Sequence, residues 1–262
     1  MHHGMKKTIS AFFITFILCL VPQVSFAAGG GFTWFSFIPG LSEYPYHLVG
    51  SVFVAVLLII TTWIARVQLF RAMQTTDGAL VPHSKLTYRN FFELFAESIY
   101  KLTQNVIGEK DAPIYFPLIG TLFIYILTSN FLGLIPGSLP PTDNLNTTLA
   151  LGGFVFLFYN GVGIKTHGFG YIKHFMGPVW WLAPLIGIIE LFSHVFRPIS
   201  LGLRLRGNIM GDHLVLSVFS DLAPYIVPVI FYGLGVFVCL VQAFVFCLLT
   251  MVYISLSSSH DH

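Results

Sequence analysis

The chain of 262 residues is 55% hydrophobic and only 9% charged, with a mean hydropathy of +0.80. That balance excludes a soluble domain with a solvated surface and marks an integral membrane protein. The formal charge of +2 is too small to suggest nucleic acid as a partner, and the few charges gather in particular places without forming a basic coat.

At the N-terminus, Lys6 and Lys7 precede the apolar run Ala11 to Val21, and Ser25-Phe26-Ala27 sets small residues at the two positions a signal peptidase reads. Residues 1–27 therefore read as a signal peptide with cleavage after Ala27; an uncleaved first helix is the alternative. Residues 28–262 then form a single membrane domain. Cys19 follows the bulky Leu18, which argues against a lipoprotein site, and Cys239 and Cys247 lie too far apart along one helix to be bridged. Neither a disulfide nor a metal framework is implied, and no cofactor motif is visible.

A bilayer crossing needs roughly 20 apolar residues. Segments of that character occupy about 47–65, 113–135, 148–164, 181–219 and 222–256, so the predicted fold is an all-α polytopic membrane protein with about five crossings. The last two exceed what a perpendicular span requires, and the turn Ser220 to Pro224 between them makes a long, tilted helical hairpin. Residues 86–107 carry Phe91, Phe92, Phe95, Ile99, Leu102 and Val106 at helical spacing, with Glu97 and Lys101 an i,i+4 pair. They predict an amphipathic helix at the cytoplasmic interface.

Charge orients the set. Arg66, Arg71, Lys85, Arg89, Lys101 and Lys110 fall between the first and second spans, and Lys165 and Lys173 between the third and fourth. By the positive-inside rule both loops are cytoplasmic, which puts the mature N-terminus outside and the C-terminus inside. Asn130, Pro136, Pro140, Pro141 and Asp143 mark the end of the second span and an outside loop, read as structural.

The fourth segment carries charge where lipid forbids it. An arginine at membrane depth costs roughly 3 kcal/mol on insertion scales, so it must face protein or water and often marks an ion path. Steps of three and four place Glu190, His194, Arg197, Leu201, Arg204, Asn208 and Gly211 on one stripe. Arg204 stands about 20 Å along the axis from Glu190, too far for an ion pair. With no other carboxylate near its depth, its partner is assigned to another subunit. Arg197 is as well explained by anchoring as by ion handling. A Glu190–Arg197 pair across seven residues is a stretch at roughly 10 Å of rise. His194 fits an interior hydrogen-bonded histidine better than a relay.

Ser200-Leu201-Gly202-Leu203-Arg204-Leu205-Arg206-Gly207-Asn208 resembles the S-L-G-L-R-L-F-G-N motif of subunit a of the bacterial F-type ATP synthase, and Gln242-Ala243-Phe244-Val245-Phe246 resembles its Q-A-F-I-F segment. The resemblance extends over the mature chain. It implies a non-catalytic proton-channel stator of the F0 sector in the bacterial inner membrane, coupling ion translocation to rotation and ATP synthesis. The implied partners are the c-subunit ring, the b-subunit peripheral stalk, the remaining F0/F1 subunits and membrane lipid.

By motif position, Arg204 corresponds to the essential arginine and Gln242 to the glutamine beside it. Asn208 and Ser200 match polar positions lining the water paths, Glu190 the acid on the cytoplasmic side, and His213 a Glu or His of the outside half-channel. Asp212 is either a supporting carboxylate or a helix-end residue. Two positions depart from the pattern. Arg206 replaces the usual Phe, with snorkelling, lipid or a neighbouring subunit as its possible partners, and Gly235 stands where some members carry an ionisable residue.

Two other classes of protein place charged and histidine residues within membrane helices. A self-contained ion-coupled secondary transporter would bring inverted repeats, and none is visible. A haem protein using His194 and His213 as axial ligands meets their separation of roughly 28 Å along one helix.

Overall fold

The computed structural model describes residues 43–73, 88–135, 137–168, 183–222 and 227–258. The predicted signal peptide, residues 1–27, lies outside the described residues, as do Ala223 and Pro224 of the predicted hairpin turn, whereas Ser220, Asp221 and Leu222 of that turn still belong to the long helix before it. Six α-helices are present among the described residues: α1 (Tyr46–Met73), α2 (Tyr88–Ile107), α3 (Ala112–Leu132), α4 (Leu145–His167), α5 (Ala183–Leu222) and α6 (Val227–Ser258). A 3-10 turn, Pro141–Asp143, precedes α4. All but α2 are long and apolar enough to cross a membrane. Helices suit such a sequence because each satisfies its own backbone groups where no water can.

The helix ends follow local chemistry. Pro113 sits in the first turn of α3, where its missing N–H is no loss. Asn144 caps α4 by accepting a hydrogen bond at its Oδ1 from the Asn146 amide at 2.9 Å. Gly168 ends α4 at φ +56°, a conformation that other residues rarely adopt.

The core lies where α3, α4, α5 and α6 meet, built from Ile119, Ile126, Tyr159, Leu205, Met251 and their neighbours. α2 packs on α3 and α6 through Phe95, Ile99 and Val106. Its apolar face is narrower than the sequence pattern implies, since Phe91 is 61% exposed. α1 stands at the edge, packed on the turn through Gly50 and presenting Val52, Ile59 and Trp63 outward.

At 1.5 Å per residue, the 40 residues of α5 extend about 60 Å, twice the hydrocarbon thickness of roughly 30 Å. α5 must therefore lean or emerge from the membrane. It packs along α6, as the predicted hairpin requires, and still more extensively along α4. Two glycines set the second contact. A Cβ on Gly152 would lie 2.6 Å from the Pro198 carbonyl oxygen, and one on Gly202 would lie 3.0 Å from that of Thr148. Small residues at both crossing points let the two backbones approach closely.

Candidate functional site

Packing divides the polar stripe of α5 in two. His194, Leu201, Leu205 and Ile209 turn inward and are buried. Arg204, Gly207 and Gly211 are exposed on the flank, beside the outward Leu203 and Met210. The stripe read from the sequence is thus part packing seam and part open face. Side chains crowding in from α4 and α6 make the difference.

Three polar levels follow one another along α5. At the first, Arg197 Nη2 lies 3.7 Å from Glu190 Oε1. The seven-residue pair that the sequence made a stretch does form, because two long side chains lean toward each other along the helix. The Arg197 guanidinium also stands over the Tyr253 ring of α6, 5.4 Å from its centroid. His194 Nε2 is 2.7 Å from Asn160 Oδ1 of α4, and its ring meets Phe156 and Tyr159 edge-on. It is the interior hydrogen-bonded histidine that the sequence favoured.

Arg204 holds the middle level, about 10 Å further along the axis. Among the described residues, none forms a hydrogen bond or ion pair with its guanidinium. Leu201 and Leu205, on either side of it in sequence, are buried at 2% and 1% exposure, so the segment that presents the cation is fixed by packing. Gln242 is half-buried on α6 and followed by the fully buried Ala243. Ser200 is exposed and its hydroxyl donates to the Arg197 carbonyl at 3.0 Å, while Asn208 is half-buried.

The third level gathers Asp212 and His213 with Asn130 of α3 and Gly235 and Cys239 of α6 around a small cavity. Asp212 is therefore more than a helix-end residue, since α5 continues to Leu222. Arg206 is satisfied within the chain, where its Nε donates to the Asp143 carbonyl at 3.0 Å. The extra cation ties α5 to the turn before α4.

The sequence missed three participants. The sequence marks Asn130 only as the end of a span before a loop, yet it is 2% exposed and faces α5. Asn160 and Tyr253 received no role. A polar residue inside an apolar span is the signal that would have found Asn160. Tyr253 gave none, because aromatics abound in this chain. Among the described residues, no three His, Cys, Asp or Glu side chains gather as a metal site. His213 faces a cavity of about 30 Å³.

Fold and site define a multi-pass helical membrane protein with a fixed cation on the open flank of a long hairpin. The chain belongs to the ATP synthase A chain family, whose model matches residues 48–255. It is 46% identical over 232 residues to ATP synthase subunit a of Bdellovibrio bacteriovorus, covering 88% of this chain and 99% of that one. The same subunit of Geobacter sulfurreducens is 52% identical over 174 residues, 66% of this chain and 76% of that one. That of Trichlorobacter lovleyi is 47% identical over 209 residues, 80% and 85% of the two chains.

Proposed function

We propose that this chain is the proton-channel stator of an F0 sector in a bacterial inner membrane. The N-terminus of the mature chain lies outside and the C-terminus in the cytoplasm. The observation that carries the reading is Arg204: a guanidinium exposed on an apolar helix, unpaired among the described residues and held in place by buried leucines. A guanidinium cannot deprotonate at ordinary pH, so it acts as a fixed charge and never as a relay. Its natural counterpart is a carboxyl group on another subunit within the membrane, as on a ring of c subunits.

In synthesis, a protonated ring carboxyl approaching Arg204 releases its proton to the cytoplasmic half-channel, passes the cation as an anion, and is reloaded from the outside half-channel. Gln242, on the neighbouring helix, orients the guanidinium. Glu190, with Ser200, belongs to the cytoplasmic path; Asn208, Asp212 and His213 belong to the outside path. The fixed charge blocks direct leakage between the two paths. Each 100 mV supplies about 2.3 kcal/mol per proton, and that blockade keeps the energy coupled to rotation. Nucleotide chemistry resides in partner subunits, and the peripheral stalk holds this chain against the torque.

The test is ATP-driven acidification of inverted vesicles carrying Arg204→Ala in the assembled complex. Pumping should be lost with assembly intact, and passive proton leak should rise once the soluble sector is stripped. Retained pumping would overturn the mechanism.

A further inference from the structure

Between α3, α5 and α6 lies a cavity of about 30 Å³ whose lining includes Asn130, Asp212, His213, Tyr232, Gly235 and Cys239. A water molecule needs roughly 10–15 Å³ of such space and two to four polar partners. The site offers both. Gly235 keeps the space open, since a Cβ there would lie 2.8 Å from Leu134 Cδ2.

Asn130 is the informative residue. It is 2% exposed, and the Thr142 hydroxyl donates to its Oδ1 at 2.9 Å. Its Nδ2 has no hydrogen-bond partner among the described residues. A buried amide N–H without an acceptor is costly, and native structures almost always supply one. Exchanging the two amide atoms changes nothing essential, because Thr142 would then accept and the oxygen would be left over.

We propose that the cavity is a water site and that Asn130 is its anchor, a positioning residue of the outside half-channel contributed by α3. The water accepts a hydrogen bond from Nδ2, which turns its two hydrogens toward the Asp212 carboxylate and the His213 ring. A proton arriving from outside adds to the free lone pair of the water oxygen. One of the three hydrogens then leaves to Asp212 or His213, and the water is restored. Asn130 neither gains nor loses a proton. The inference rests on the reading of α5 as the lining of a proton path.

Cys239 supplies a native probe, because its free thiol lines the same cavity. ATP-driven pumping by the assembled complex would be measured with and without Ag⁺, which enters water-filled paths and binds thiols. Complexes with Cys239 and with Cys239→Ala would each be compared with their own untreated rate. Ag⁺ should inhibit the first several-fold more than the second. Asn130→Leu, which keeps the branched four-atom side-chain skeleton but cannot donate, should slow pumping about tenfold and diminish Ag⁺ block at Cys239, and Asn130→Ser should recover part of both. Equal Ag⁺ response of the two cysteine variants overturns the water site. Wild-type pumping by an assembled Asn130→Leu complex overturns the role of Asn130. The cysteine comparison leaves Asn130 in place, so it decides the matter even where the leucine variant does not assemble. Arg204→Ala in the same vesicles separates this outcome from failure of the stator reading, which alone predicts its inactivity.

Discussion

Gly152→Ala should weaken the chain at the crossing that carries the stator helix. The added methyl carbon would meet the Pro198 carbonyl oxygen at 2.6 Å, where ordinary contact begins at 3.4 Å. α4 and α5 must then separate by about 0.8 Å at that point, in an interior packed too densely to absorb it. Overpacking of this kind costs about 1–3 kcal/mol, and the helix preference of alanine over glycine returns up to about 1. A net loss of about 1–2 kcal/mol follows, roughly a tenfold change in the folded population. At Gly202 the same carbon meets the Thr148 carbonyl oxygen at 3.0 Å, so a shift of about 0.4 Å suffices and the loss is smaller. Gly153 is the control, because a Cβ there meets nothing within 4 Å. The assay is heating of the detergent-extracted complex, followed by the fraction of this chain still assembled. Stability should fall in the order Gly153→Ala, Gly202→Ala, Gly152→Ala. Indistinguishable behaviour of Gly152→Ala and Gly153→Ala would refute the close-approach argument.

Three further outcomes are expected. Arg206→Ala removes the charged donor at the Asp143 carbonyl and should cost about 1.5–3 kcal/mol of stability, seen as faster proteolysis of the loop before α4, while Arg204-dependent pumping persists. Asn160→Leu deprives buried His194 of its 2.7 Å partner and should cost about 1 kcal/mol, the usual scale for such bonds between membrane helices, read as a lower thermal midpoint of the complex. In exposed α2, the hydrogen bond and charge of Lys101 hold the Glu97 carboxyl below its ordinary value of 4.5. Its small contribution is therefore complete above pH 4.5 and is lost as pH falls through the lower folded value. An NMR titration of Glu97 should show this depression, and Lys101→Met should abolish it.

The sequence by itself determined the helices, since an apolar run of about 20 residues in lipid has no other way to satisfy its backbone. It also marked Arg204 as a charge that must face protein or water, because lipid does not tolerate a bare guanidinium. Helical periodicity, however, places a residue on a face without saying what that face meets. Only the packing of α4 and α6 against α5 buried His194 and Leu201 while leaving Arg204 on the open flank. The Arg206 bond joins residues 63 apart in the chain, and the Thr142 bond joins Asn130 across the loop. Neither separation carries a periodic signal. In sequence Gly152 is an ordinary glycine in an apolar span, and only the fold sets the α5 backbone against it. Local hydrogen bonding and hydropathy are properties of a segment and can be read along it. Contact between segments depends on shape in three dimensions, and tertiary structure alone decided which polar groups met.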